Sequence, residues 1–226
     1  MENIKLVGIS ASPRHANTEE MVKEALEASR INKFITTEFI SLAGKKIHGC
    51  TNCRACIKTG KCVLKDDWEE MIKPLINPIP DGVIFGAPVY FYSMNSQARA
   101  YLERCTSLFK SQNFIEAKSI PPNWNQTVAG VVTVGYDRNG GQEHTMSTAL
   151  HFFLSTGFVV VGVGHFGYIG APGWLMGDST KTSVRNDISI GMPAARIIGR
   201  RVAETAIIHK MGYSAVSSLL RECKDD

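Results

Sequence analysis

Four cysteines fall within thirteen residues: the stretch Cys50-Thr51-Asn52-Cys53-Arg54-Ala55-Cys56, then Cys62 after five further residues. A thiolate is a nucleophile, a redox group or a soft metal ligand. A redox thiol pair needs only two. Structural zinc sites usually join two Cys pairs through a longer segment that folds around the ion. Four thiolates converging from one short loop suit a compact cubane of iron and sulfide. The spacing of Cys50, Cys53, Cys56 and Cys62 therefore favours a 4Fe-4S cluster, with zinc and a metal-free loop as the alternatives. Cys105 reads as a small core residue and Cys223 as a free thiol.

Three further stretches carry chemistry. Ser10-Ala11-Ser12-Pro13-Arg14-His15-Ala16-Asn17-Thr18 offers hydroxyls, an arginine and the amides of a helix start. Backbone N–H groups and the positive end of a helix dipole suit a phosphate. The loop lacks the Gly-Lys-Ser/Thr ending of a P-loop, so nucleotide triphosphate hydrolysis is not expected. Ala87-Pro88-Val89-Tyr90-Phe91-Tyr92-Ser93-Met94 puts aromatic and sulfur-bearing side chains where they could face a flat ring. Gly135-Tyr136-Asp137-Arg138-Asn139-Gly140-Gly141 has paired glycines that let a backbone approach a ligand, or simply turn. The six histidines show no metal-ligand spacing, and His15 and His48 read as surface groups. Asp66-Asp67 read as helix-start acids, and Arg200-Arg201 as a solvated face. No Ser-His-Asp arrangement can be argued.

The elements that must position these stretches alternate. Apolar, β-branched runs predict strands at 4–9, 34–42, 82–86, 128–134 and 158–163. Helical spacing with polar starts predicts helices from about Asn17, over 68–76, from Ser93 or Asn95 to about Phe109, over 142–155, and over 187–211. Continuous apolar strands alternating with helices belong to a parallel sheet covered on both faces. The connections before Trp124 and from Gly164 to Thr182 exceed the usual ~2–6 residues and read as functional loops.

The 226 residues are 44% hydrophobic, which suits one domain over 1–226, with a cysteine-rich insertion over 44–66. A net charge of +4 with interspersed signs does not favour nucleic acid or a membrane surface as partner; an acidic redox partner would suffice to explain it. No stretch reaches the ~18–20 apolar residues of a membrane span. The N-terminus lacks the blocks of a signal peptide, so a cytoplasmic location is expected. There, cysteines are normally thiols or ligands, not disulfides.

Taken together, Ser12-x-Arg14 leading to Asn17-Thr18, Ala87-Pro88-Val89-Tyr90 and Gly140-Gly141-Gln142-Glu143 resemble the three cofactor loops of the flavodoxin-like NAD(P)H-dependent FMN reductase superfamily. The resemblance covers nearly the whole chain. It implies a doubly wound five-stranded parallel sheet of order 2-1-3-4-5, with FMN at the topological switch point. By the same resemblance, Ser10, Ser12, Arg14, Asn17 and Thr18 would surround the FMN phosphate. Pro88, Val89, Tyr90, Tyr92, Ser93, Met94, Tyr136, Gly140 and Gly141 would line the ring.

The cysteine spacing inside this scaffold resembles the iron–sulfur flavoproteins of anaerobic archaea and bacteria. That resemblance implies a 4Fe-4S cluster on Cys50, Cys53, Cys56 and Cys62. It implies electrons passing from a ferredoxin-like donor through cluster and flavin to an acceptor such as oxygen, peroxide or a quinone. It further implies a homodimer or homotetramer with the cysteine segment near the interface, and with loops 112–124 and 164–182 reaching across. The rival reading is an NAD(P)H-dependent FMN or quinone reductase. The rival of another class is a zinc-stabilised, non-enzymatic binding module.

Overall fold

Ile4–Ser10 forms β1, and all of it except Lys5 is buried. A strand with no solvent side belongs in the middle of a sheet. In the computed structural model, which describes residues 3–110, 121–177 and 183–222, β1 pairs in parallel with β2 (Ile35–Ser41) and β3 (Gly82–Tyr90). Cys223, residues 111–120 of the loop before Trp124 and residues 178–182 lie outside the described residues. β3 pairs next with β5 (Val128–Gly135), which is buried throughout, and β5 with β6 (Val159–Val160). The parallel order is thus β2-β1-β3-β5-β6, with β4 (Ser93–Met94) folded back antiparallel on β3. Apart from this small hairpin, the order is the expected 2-1-3-4-5.

Each face of the sheet has its own core. On one, α1 (Asn17–Ser29) and α7 (Gly191–Glu222) pack Met21, Val22, Leu26, Ile198 and Val202 against Leu6, Ile84 and Val132. α1 and α7 cross closely: a Cβ on Gly199 would collide with the Ala25 carbonyl, so only glycine fits there. On the other face, α3 (Trp68–Ile76), α4 (Ser96–Arg104) and α6 (Gln142–Ser155) cover Val7, Ile9, Phe85 and Val131. Trp68 and Trp124 are buried there, and their indole N–H groups donate to the Tyr101 and Leu75 carbonyls at 3.0 and 2.9 Å. Each large buried side chain of this kind contributes ~1.5–3 kcal/mol relative to exposure.

Three elements differ from the sequence expectation. The fifth strand, expected over 158–163, is only β6. After it the chain leaves the sheet in a turn closed by the Tyr168 N–H on the Gly164 carbonyl, with Gly164 at φ +83. The same sheet position is then completed by β7 (Ala171–Trp174), which pairs with the carboxyl half of β5. Pro172 and Gly173 hide β7 in the sequence, but an edge strand tolerates proline because one side needs no N–H.

The expected helix ending near Phe109 breaks at Cys105 into α4 and α5 (Thr106–Phe109), where the Cys105 N–H turns back to Leu102 at 3.0 Å. The last helix starts at Gly191, not Asp187. Asp187 is buried and accepts from the N–H groups of Trp174 and Ile190, tying β7 to the helix entry.

The register sets the functional edge. Ser10 pairs with Gly86, Gly86 with Val132, and Pro88 with Val134. The loops after β1, β3 and β5 therefore emerge side by side. The segment after β2 leaves at the same edge, with the Leu42 N–H on the Ser10 carbonyl at 2.9 Å. Among the described residues, no helix is long and apolar enough to cross a membrane.

Candidate functional site

Two sites form along this edge. The first begins where β1 ends. Ser12 Oγ donates to the Arg14 carbonyl at 2.8 Å and accepts from its N–H at 3.3 Å, which fixes a tight turn into α1. The residue at the N-cap of α1 is Ala16, which has no oxygen to cap the helix. Most helices place Ser, Thr, Asp or Asn there to satisfy the first N–H groups. An uncapped start beside Arg14, Asn17 and Thr18 is what a phosphate needs.

Glu19 lies buried just below. Burial alone would raise its carboxyl. Hydrogen bonds from Ser41, His15 and Lys23, with the Lys23 charge, outweigh burial and hold it below the usual carboxylate range. His15, expected as a surface group, is exposed and pairs with Glu19 at 2.7 Å.

Ser12, Arg14, Asn17 and Thr18 line one cleft with Pro88, Val89, Tyr90 and Tyr136. The cleft has a volume of about 430 Å³, within the ~300–1,000 Å³ of small-molecule sites. Its volume, uncapped phosphate end and aromatic rim fit FMN. The remaining ring and phosphate candidates lie outside this lining. Ser10 is buried within the sheet and its Oγ makes no hydrogen bond. Ser93 and Met94 turn back as β4, and Met94 joins the core. Tyr92 faces away and stacks on His144, with ring centroids 6.1 Å apart. Gly141, at φ +110, backs against the Tyr92 main chain, where any Cβ would collide. Its role is to let the third loop touch the second. Gly140 sits in the turn closed on the Asp137 carbonyl.

The cleft also has walls the sequence reading missed: Ala16, Phe91, Val134 and Leu175. Val134 could have been found, since it ends a buried strand at the ligand edge. Leu175 follows β7 and had no local signal. Phe91 and Tyr92 form the two-residue turn between β3 and β4 with φ of 46 and 66. Hairpins of this kind favour Asn-Gly, because a left-handed non-glycine residue costs ~1–2 kcal/mol. An exposed Phe held there, at the mouth of the cleft, is strain retained at a binding edge.

The second site is the cysteine segment. Asn52 and Arg54 are left-handed at φ 53 and 62, and Arg54 starts the short helix α2 (Ala55–Thr59). These reversals bring Cys50, Cys53, Cys56 and Cys62 to the wall of a single small cavity, with Arg104 and Lys110. The Cys50 N–H is held by Glu103 at 2.8 Å, and Lys110 Nζ donates to Asn52 at 2.5 Å. Cys53 is exposed, and its thiol is lowered mainly by the Ala55 backbone N–H. Four thiols on one cavity with two cationic side chains fit an anionic thiolate-bound cluster. Among the described residues no three Cys, His, Asp or Glu side chains are gathered closely enough for a single metal ion.

Asp66 and Asp67 stand at the start of α3, as expected, with Asp67 at its N-cap and Asp66 accepting from the Trp68 N–H at 3.2 Å, and they also close the base of this segment. Asp67 accepts from the Lys46 N–H at 2.6 Å and Asp66 from the His48 N–H at 2.9 Å. Asp66 also pairs with Arg104 at 2.7 Å, with both side chains almost fully buried. Burial raises the Asp66 carboxyl, but hydrogen bonds from Arg104, His48 and Trp68 and the Arg104 charge hold it below the usual range. Cys105 lies in the core, as expected.

The comparisons agree with this geometry. Residues 4–171 match the NADPH-dependent FMN reductase family. The chain is 38% identical over 218 residues to an iron-sulfur flavoprotein of Methanocaldococcus jannaschii, covering 92% of this chain and 100% of that one. It is 35% identical over 171 residues to an iron-sulfur flavoprotein of Archaeoglobus fulgidus, covering 75% and 82%. Among solved structures, a WrbA-like flavodoxin from Agrobacterium tumefaciens superposes with a TM-score of 0.55 at 19% identity, covering 92% and 99%, which shows the shared fold. The chain therefore belongs to the iron–sulfur flavoproteins of the flavodoxin-like FMN reductase superfamily, and is a flavin-dependent oxidoreductase.

Proposed function

We propose that the protein holds FMN in the cleft beneath Arg14 and Tyr90 and a 4Fe-4S cluster on Cys50, Cys53, Cys56 and Cys62, and passes electrons between them. Bound together, the two cofactors would couple a two-electron partner at the flavin to a one-electron partner at the cluster. The observation that carries this reading is the convergence of four thiols on one cavity at the sheet edge that also bears the flavin cleft. Membership of an oxidoreductase family sets aside the non-enzymatic zinc module.

The chain's own residues do the positioning. Arg14 and the uncapped start of α1 would hold the phosphate. Pro88, Val89 and Tyr90 would form one wall for the ring, and Val134 and Leu175 close the cleft floor to water. The donor in this reading is a ferredoxin-like one-electron carrier, and the acceptor is oxygen, peroxide or a quinone. Its support is charge: residues 44–65 hold Lys45, Lys46, Arg54, Lys58, Lys61 and Lys65 and no acid. All but Lys45 are exposed.

Anaerobic reconstitution followed by analysis of iron, sulfide, zinc and flavin tests the assignment. Near-stoichiometric FMN with about four iron and four sulfide per chain is expected for a cubane. Zinc in place of iron would overturn it. The second reading, an NAD(P)H-dependent reductase, is favoured by the match over residues 4–171. Its mark is NAD(P)H oxidation that survives removal of the four cysteines.

We also propose a homodimer or homotetramer. Ile208, Met211 and Leu219 leave an exposed apolar stripe on the carboxyl half of α7. Light scattering at micromolar concentration checks this, and Met211→Glu with Leu219→Glu should shift the mass towards one chain.

A further inference from the structure

Arg104 is among the largest fully buried side chains of the protein, at 1% exposure. Burying a guanidinium costs several kcal/mol, and an ion pair with Asp66 only offsets this. A pair replaced by apolar side chains of similar size is often no less stable. Folding alone therefore gives a poor reason for this arginine.

Its surroundings give a better one. Arg104 Nη1 donates to Asp66 at 2.7 Å and to the His48 carbonyl at 3.0 Å. The guanidinium lies over the Trp68 ring, 5.1 Å from its centroid. These contacts hold it at the wall of the cavity that Cys50, Cys53, Cys56 and Cys62 line. The Nε–H is buried and has no hydrogen-bond partner. An unpaired buried donor on a charged group is costly, so such groups generally have a partner to serve.

We infer that Arg104 is the positioning residue of the cysteine site, a fixed buried cation whose unpaired Nε–H serves the sulfur-rich group that the four thiols hold. The inference rests on the cluster assignment above. A thiolate-bound iron–sulfur cluster is anionic and becomes more so on reduction. A fixed positive charge and an N–H directed to sulfur both favour the reduced form and raise the potential. Asp66 works in opposition, since its carboxylate partly cancels the charge while holding the side chain in place. No bond to Arg104 forms or breaks, and its proton stays where it is.

The test is a redox titration of the reconstituted holoprotein, with cluster and flavin followed separately by EPR and absorbance. Arg104→Met should lower the cluster midpoint by at least tenfold in the reduction equilibrium, ~59 mV for one electron. Asp66→Asn should raise it. Arg104→Lys, which keeps the charge but not the fork, should fall between wild type and Arg104→Met. The flavin midpoint should stay put in all three. Cluster-loaded variants within threefold of wild type, or Arg104→Met and Asp66→Asn moving in the same direction, would overturn the inference. If Arg104→Met loads no iron, Asp66→Asn decides: a raised midpoint supports the role and an unmoved one sinks it. A wild-type protein that takes up zinc or no metal would instead overturn the cluster assignment itself.

Discussion

Cys105 is packed against Tyr101, and burial pushes its thiol well above the ordinary range. Cys53 is exposed and its thiol moves the other way, under the Ala55 N–H. Residue type is the same; surroundings decide which thiol is the more readily ionised. Replacing any of Cys50, Cys53, Cys56 or Cys62 with alanine should remove cluster iron and leave FMN bound, whereas Cys105→Ala should keep both. Iron and flavin analysis of each variant reads the result, and iron loss from Cys105→Ala would refute the ligand set. Two buried carboxylates give a second prediction at this scale. Asp66 and Glu19 both sit below the usual range in the folded chain. A depressed native carboxyl contributes stability that is present above its unfolded pKa of ~4 and lost as pH falls through the native value. Unfolding free energy should therefore be steady near neutrality and drop below about pH 4. Denaturant titrations at stepped pH check this. Asp66→Asn and Glu19→Gln should each flatten the acid limb; an unchanged limb in both would contradict the linkage.

At the scale of the element, α1 is the informative case. Its N-cap is Ala16, although a polar residue would stabilise the isolated helix. The proposed flavin site gives this a function, because a side-chain cap would occupy the N–H groups that the phosphate would use. Ala16→Asp should then act in two directions at once. Capping should raise the stability of the flavin-free protein by ~1 kcal/mol. The added negative charge beside the phosphate should weaken FMN binding by about tenfold or more, ~1.4 kcal/mol. Thermal melts with and without FMN, and flavin fluorescence titration, separate the two. Tighter FMN binding by Ala16→Asp would exclude α1 as the phosphate site. The β3–β4 hairpin repeats the pattern, since Phe91 and Tyr92 stand where the backbone would prefer Asn-Gly.

Over the whole molecule, charge is unevenly placed. The chain carries a net +4, yet residues 44–65 hold six of the 25 basic residues and no acid. Without that segment the chain would be slightly acidic. Lys46, Arg54, Lys58, Lys61 and Lys65 are exposed around the cysteine cavity, where they would steer an acidic carrier. Electron delivery from an acidic one-electron donor should slow steeply as ionic strength rises, because the Debye length shrinks from ~10 Å at 0.1 M to ~3 Å at 1 M. Stopped-flow reduction at several salt concentrations measures this. Lys58→Glu with Lys61→Glu should slow delivery at low salt and reduce the salt dependence; rates indifferent to both would argue against docking there. The apolar stripe on α7, the proposed surface for self-association, lies elsewhere. Lys210 of this helix reaches Asp81 and the Asn3 carbonyl at the amino end of the sheet, away from the cleft.

Much of this was legible in the sequence. β1, β3 and β5 are continuous apolar runs, and a strand buried on both faces has only that pattern to show. The gathering of the four cysteines on one cavity was legible because their spacing lies within one loop. The turn into α1 was legible because a helix start is a local event. What the sequence could not disclose depends on residues far apart in the chain. β7 carries Pro172 and Gly173 and is a strand only because β5 offers it an edge. Leu175 enters the cleft through that strand, and Gly141 is fixed by a neighbour in the preceding loop, Tyr92. Asp66 is the helix-start acid its position suggests, but only the fold shows Arg104, 38 residues later, against it. An arginine reads as surface in any sequence, because its burial is paid for only by partners that tertiary structure supplies; spacing could therefore name the thiols, but only the fold could bring a cation to their side.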